Sequence, residues 1–350
     1  MQFSFDASQR AQKIFVLGGT GFIGFAVVRR LAELGFQNVW CLYRDQDKRE
    51  RMFSSTDTSS ITFLQGDVSQ GDVLRKGIEE AAIVLNASGV ATGWGDKGTF
   101  WDVNVRAAQG ICGMIREMGA ATHFLHITSA SVYGFSQDEK TEESPVVVSD
   151  PFYTASKADI HSWLRAEIAR ERPFPITVLA PTIVWGPGDQ IYIPGLMLML
   201  KAGQMIYFKD AEPVDMVHID DLVDAVLLCF FNEKAYNEEY IISGPTRFAF
   251  EPYIAKIAEF AGLPTAGRRV PVGLALGMAS VAQVTARVVN LFRPSYQPST
   301  TRLQVLLLST PIRASIEKAR KRLGYAPEID FVKGIDSTKG YIQQLKGMLG

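Results

Sequence analysis

Apolar positions along this chain fall in short unbroken runs separated by amphipathic stretches. Lys13–Gly19 reads KIFVLGG, with four consecutive apolar residues from Ile14 to Leu17 closing on glycine. A run that short, without polar alternation, predicts a strand buried on both faces, as in a parallel sheet. FIGFAVVRRLAELG (22–35) then has helical spacing, with Gly35 as its expected stop. The alternation repeats through NVWCLYR (38–44), ITFLQGDV (61–68), a helix near 71–80, AIVLNASG (82–89) and a helix near 100–118. HFLHITSA (123–130), a helix near 152–170 and ITVLAPTIV (176–184) continue it. Strands alternating with helices predict an α/β fold with a doubly wound parallel sheet.

After Val184 the pattern changes. WGPGD is turn chemistry, followed by the helix GLMLMLKAG, the strand DMVHI and the helix DDLVDAVLLCFF; from about 247 the chain is mostly helical. We expect residues 1–185 with 216–246 to form a nucleotide-binding domain, and 186–215 with 247–350 a smaller, mostly helical substrate lobe.

Composition narrows the function. The 350 residues are 47% hydrophobic and carry 36 basic against 37 acidic side chains, net −1. That balance gives no electrostatic footprint for nucleic acid. Cys41, Cys112 and Cys229 are far apart and embedded in apolar runs, predicting reduced, buried thiols. His123, His126, His161 and His218 lack metal-ligand spacing, so no metal is expected and all four are read as structural or surface residues. The N-terminal residues show no secretory signal, and a cytoplasmic location is expected. From Pro271 to Ala286 there is no charge, but 16 residues fall short of the about 20 that span a bilayer. A buried or groove-lining helix is the expectation. A membrane-surface helix, with peripheral contact through 271–292, is the alternative. A homodimer stays open.

The first strand runs into GGTGFIG, placing Gly18, Gly21 and Gly24 in G-x-x-G-x-x-G spacing at a strand-to-helix turn. Such a turn tolerates positive φ, lets backbone approach a pyrophosphate and packs helix on strand. The helix start, with Thr20, Phe22 and Ile23, offers amides to phosphate. A dinucleotide cofactor follows. At the end of the second strand, Tyr43 and Arg44 stand where an acid would grip ribose hydroxyls. Arg44, with Lys48 nearby, suits a 2′-phosphate, favouring NADP; Asp45 keeps NAD open. Asp67 and Val68 after the third strand, and Ala87, Ser88 and Gly89 after the fourth, complete the expected adenosine side.

PFYTASKADI (151–160) sets Tyr153 one turn before Lys157. Residues i and i+4 share a helix face, and a cation beside a phenol lowers its pKa toward the working pH of a general acid–base. Ser129, at the end of the fifth strand, can bond the same substrate oxygen. Together they describe hydride transfer at a carbonyl or carbinol carbon, with Tyr153 exchanging the proton. Trp94 and Trp101 flank the expected cleft, and Met197, Met199 and Met205 are read either as pocket shapers or as core.

GGTGFIG, SASVYG and YTASK together resemble the extended short-chain dehydrogenase/reductase superfamily, the NAD(P)-dependent epimerase/dehydratase family, and the likeness runs over nearly the whole chain. It implies a Rossmann-type domain and catalytic roles for Ser129, Tyr153 and Lys157. WDVNVRAAQGI resembles the family's asparagine helix, implying that Asn104 bonds main chain and positions the site. PTIVWGPGD implies backbone contact of Pro181, Thr182 and Ile183 with nicotinamide. GWGDKGTFWDVNV and WGPGDQIYIPGLMLMLKAGQ resemble the 3β-hydroxysteroid dehydrogenase group most. Nucleotide-sugar epimerases and dehydratases of the superfamily often carry Arg where Ala180 stands here, and the second lobe is rich in Met, Leu and Val. The sequence therefore favours a NADP-linked oxidoreductase of an apolar ketone or alcohol. A sugar-nucleotide epimerase/dehydratase and a non-catalytic NADP(H) sensor are the alternatives.

Overall fold

Seven parallel strands form the central sheet of the computed structural model, which describes residues 3–171, 174–293, 296–298 and 300–349. They are β1 (Lys13–Leu17), β2 (Val39–Tyr43), β3 (Ile61–Gln65), β4 (Ala81–Asn86), β5 (His123–Ile127), β6 (Ile176–Pro181) and β7 (Glu238–Ile242). Their spatial order is 7-6-5-4-1-2-3. The order reverses between β1 and β4, and the crevice at the carboxyl ends of those strands is where such sheets bind ligands. β1 is buried along its whole length, as its unbroken apolar run requires.

The helix Phe22–Glu33 turns Val27, Val28 and Leu31 onto the sheet, all fully buried. Each such side chain contributes about 1.5–3 kcal/mol relative to exposure. Its end is set by Gly35 at φ +77°, where the Gly35 amide donates to Ala32 O and the Phe36 amide to Leu31 O. This two-bond left-handed stop needs a residue without Cβ.

Two expected elements are interrupted. The segment 176–184 is not one strand: β6 ends at Pro181, which has no N–H to extend a ladder, and Ile183–Trp185 turns away to pair with Met216–His218. The segment 100–118 is three pieces, with a π-helical turn at Asp102–Arg106 between Lys97–Trp101 and Ala107–Glu117. A second core lies beyond β6, where Trp185, Met197, Met205, Tyr253 and Ile257 pack together. Met197 and Met205 are therefore core residues rather than pocket walls. Asp221 fastens the C-terminal segment to the sheet domain, accepting the amides of Glu328 (3.2 Å) and Ile329 (3.1 Å).

Cys41, Cys112 and Cys229 are buried, and so are all four histidines. His123 Nε2 lies 2.8 Å from Thr177 Oγ1, and burial pulls its pKa down to about 3. The folded chain therefore holds this ring neutral at pH values where the unfolded chain protonates it. The resulting stability is complete above about pH 6.5 and is lost as pH falls toward 3. The urea midpoint is expected to fall across that window, and less steeply in His123→Gln; parallel profiles would show that His123 is not responsible.

Candidate active site

The crevice at the strand-order reversal opens into a cavity of about 490 Å³. Gly18, Thr20, Gly21, Phe22 and Ile23 line one side, with Arg44, Asp67 and Val68 beyond β2 and β3. Ala87, Ser88 and Gly89 continue the wall past β4. Ser129, Tyr153, Pro181, Thr182 and Ile183 close it. Three predicted site residues lie behind this wall: Gly24, Asn104 and Lys157.

The residues present fit a dinucleotide. Gly18 has φ +74°, and a Cβ there would lie 2.8 Å from Ala87 O and Ser88 N across the reversal point. Gly21 caps the following helix, and no side chain occupies the cap. The first-turn amides of Phe22, Ile23 and Gly24 therefore face an uncapped end with a partial positive charge, the arrangement that holds phosphate. At the other end Arg44 Nη1 lies 3.4 Å from Asp67 Oδ2, both partly open to solvent. Asp67 Oδ1 is already committed to Ser69, accepting from N (3.0 Å) and Oγ (2.8 Å).

Tyr153 opens the helix Tyr153–Ile168. Asp150 fixes that start by accepting the amides of Phe152 (2.9 Å), Tyr153 (2.8 Å) and Thr154 (2.8 Å). The i+4 ladder Tyr153, Lys157, His161, Arg165 then faces the sheet edge, and its deep end is a paired network. Arg165 Nε bonds both Glu239 oxygens, His161 Nε2 lies 3.1 Å from Glu239 Oε2, and Thr128 Oγ1 is 3.2 Å from His161 Nδ1. Burial pushes the Glu239 carboxyl up, but the bonds from His161 and Arg165 outweigh it and hold it at about 2.

Asn104 is buried and acts through its neighbours. Its Oδ1 accepts from Val90 N (2.8 Å), and its Nδ2 donates to Val90 O (3.2 Å) and Ser156 Oγ (2.9 Å). Ser156 Oγ donates in turn to Tyr153 O at 2.9 Å. The π-helical turn brings Asn104 into this position, a frequent use of such turns. Asn104 is thus a positioning residue for Tyr153 and for the loop after β4.

One expectation is corrected here. Lys157 is not what sets the acidity of Tyr153. Burial raises the phenol, a hydrogen bond with Ser129 lowers it, and Asp150 raises it further; the net direction is upward. The Lys157 ammonium instead donates to Ile127 O at 3.1 Å, and burial lowers its pKa to about 8. Ser129 Oγ also lies 2.9 Å from Ser131 Oγ. Burial prevails, and the phenol therefore rests protonated beside the Ser129 hydroxyl.

Sequence reasoning missed the far wall. Gln190, Ile191 and Tyr192 face the cavity at the start of the helix Tyr192–Lys201, and Leu303, Leu307 and Ile312 reach it from the C-terminal segment. Asp189 holds the first group by accepting the amides of Ile191 (2.8 Å), Tyr192 (2.9 Å) and Ile193 (3.1 Å); burial raises its carboxyl to about 6. Asp215 holds Ile312 by accepting its amide at 3.0 Å and that of Arg313 at 2.9 Å. The only available signal was the four-residue spacing of Leu303 and Leu307. Trp101 donates to Asp159 (2.9 Å) and Trp94 packs on Phe152, so neither forms the cavity wall.

A sequence model of the NAD-dependent epimerase/dehydratase family matches residues 14–243. The chain belongs to that family. It is an NAD(P)-dependent oxidoreductase of the extended short-chain dehydrogenase/reductase type. A 2-alkyl-3-oxoalkanoate reductase of Stenotrophomonas maltophilia is 24% identical over 93% of this chain and 98% of its own length. The decarboxylating sterol-4-alpha-carboxylate 3-dehydrogenase of Mus musculus is 22% identical over 94% of this chain and 90% of its own. Among solved structures, UDP-glucuronic acid 4-epimerase from Bacillus cereus, in complex with UDP-glucuronic acid and NAD, superposes with a TM-score of 0.74. It shares 19% identity, covering 95% of this chain and 100% of that one. The last similarity establishes the fold.

Proposed function

We propose that this oxidoreductase moves a hydride between NADP(H) and the ketone or alcohol carbon of an apolar small molecule. The observation that carries this reading is the wall sharing the cavity with Tyr153 and Ser129. It is made largely of Val103, Val184, Ile191, Leu303, Leu307 and Ile312 with the phenol of Tyr192, beside Asp189 and Gln190, and among the described residues the Arg and Lys lining the cavity are Arg44 and Lys48 at the adenosine end. A sugar diphosphate calls for cations on the substrate side. An apolar ketone calls for a dry wall with one or two donors aimed at its oxygen. The names of the two relatives, an oxoalkanoate reductase and a sterol dehydrogenase, point the same way.

The nicotinamide, when bound, supplies or accepts the hydride. The chain supplies the proton. Tyr153, protonated at neutral pH, gives its proton to the developing alkoxide, and Ser129 offers a second hydrogen bond to the same oxygen. Lys157, held at Ile127 O, keeps a positive charge beneath the phenol side of the helix up to about pH 8.

Arg44 and Lys48 support NADP over NAD. Burial first, and then the charge of Arg44, pulls Lys48 below the ordinary lysine value. A 2′-phosphate between the two relieves that repulsion and matches the arginine fork. Arg44→Ala is expected to weaken NADPH about tenfold or more, the scale of a lost charge-assisted hydrogen bond, and NADH little. Fluorescence titration with both cofactors checks this, and equal losses would remove Arg44 from the 2′-phosphate site. The substrate class is tested with NADPH and a panel of medium-chain 3-oxo acids, steroid ketones and UDP-sugars. Turnover confined to UDP-sugars, without added NADPH, would overturn the reading.

A further inference from the structure

The helix expected to be buried or groove-lining at 271–286 is not a buried one. The segment extends into the 19-residue helix Val272–Asn290, whose buried positions are only Ala275, Ala279, Gln283 and Ala286. These small residues and one amide pack on the helix Arg302–Ser309, where Gln283 Oε1 accepts the Arg302 amide at 3.2 Å. The opposite side presents Leu274, Met278, Val281, Val284 and Val288 to solvent, and Leu291 and Phe292 extend it at 77% and 82% exposure. Large apolar side chains thus face out while alanines face in, the reverse of a helix whose purpose is to close a core.

We infer that this face docks the protein onto an anionic lipid surface. Charge chooses the occupant. From Phe260 to Ile316 the chain has no Asp or Glu, but it has Arg268, Arg269, Arg287, Arg293, Arg302 and Arg313, in a protein of net charge −1. Arg269 pairs with Glu251 and Arg313 with Glu212. Among the described residues Arg268, Arg287, Arg293 and Arg302 have no carboxylate partner, and all four are exposed. Arg302 donates to Ser280 Oγ at 3.0 Å and Arg287 lies over the Phe152 ring, so the charge of all four stays uncompensated by a carboxylate. An apolar stripe on a stretch of such arginines is complementary to anionic headgroups over an acyl boundary. A second copy meeting the same face would set these arginines against each other. The helix is long and apolar enough to cross a bilayer. With one side held on the protein through Gln283, it lies along a surface instead. The helix it packs against carries Leu303 and Leu307 into the cavity wall, so the docked surface and the substrate wall form one unit. The docking stands on these surface residues and not on the substrate assignment.

The test is flotation of the full-length protein with vesicles of phosphatidylcholine alone or mixed with phosphatidylglycerol, at low and high salt. Binding is expected to the mixed vesicles, weakened by salt. Val281→Asp with Val288→Asp should weaken it about tenfold or more, as should Arg268→Glu with Arg293→Glu. Thermal melting and NADPH affinity should match wild type, which separates loss of docking from loss of fold or of oxidoreductase function. Wild-type protein that stays in solution with both vesicles overturns the inference. So does a dimer in sedimentation velocity that Val281→Asp dissolves, because the face then belongs to a second copy.

Discussion

Tyr153→Phe is expected to lower kcat for ketone reduction by about 10²- to 10⁴-fold, the range contributed by a positioned general acid. The substitution removes one oxygen and keeps the ring, so the helix start held by Asp150 and the Asn104–Ser156 bond to Tyr153 O remain in place. Cofactor affinity should change little, since the glycine turn and Arg44 are independent of the phenol. Direction of reaction matters to the pH profile. Burial raises the phenol, so at neutral pH it is in the form that donates to a ketone. Alcohol oxidation needs phenolate and should rise with pH until Tyr153 is titrated. Single-turnover kinetics with saturating NADPH isolates the proton-coupled step, and equal rates in the variant and wild type would remove Tyr153 from it.

Gly24→Ala should be the most damaging one-carbon change in the cofactor turn. Its Cβ would lie 2.2 Å from Gly18 O and 2.7 Å from Gly18 C, both backbone atoms that cannot rotate aside. The helix start must move away from β1, at a cost of about 1–3 kcal/mol for overpacking. The uncapped amides of Phe22 and Ile23 move with it. Cofactor affinity is expected to fall roughly 10²-fold, the scale on which an ångström of misplacement acts at a preorganised site. Gly110→Ala is the control. It is exposed on the helix Ala107–Glu117 with nothing within 4 Å of its would-be Cβ, so it should melt at or slightly above wild type and bind NADPH normally. If both variants lose affinity alike, close packing at Gly24 is not the cause.

The sheet and the chemistry-bearing turn were legible because their signals are local. A buried parallel strand shows as an apolar run, and a phosphate turn shows as glycines at fixed spacing beside it. The tyrosine and lysine declare themselves by helical periodicity. The break after Pro181 and the π-helical turn at 102–106 were not legible in the same way. Each is decided by what the chain meets in space: Ile183 leaves the main sheet to bond the Asp215 carbonyl, and Asn104 is drawn to Val90 and Ser156.

The sequence by itself determined the parallel α/β sheet, the nucleotide turn and the candidate acid–base pair, because short-range periodicity and backbone sterics specify them. Only the tertiary structure decided where the Lys157 ammonium points, which residues from 190–192 and 303–312 wall the cavity, and that the helix Val272–Asn290 turns its large side chains outward. Those outcomes depend on contacts between segments 30 to 170 residues apart, or on which face a neighbouring helix covers. A linear pattern carries no record of either.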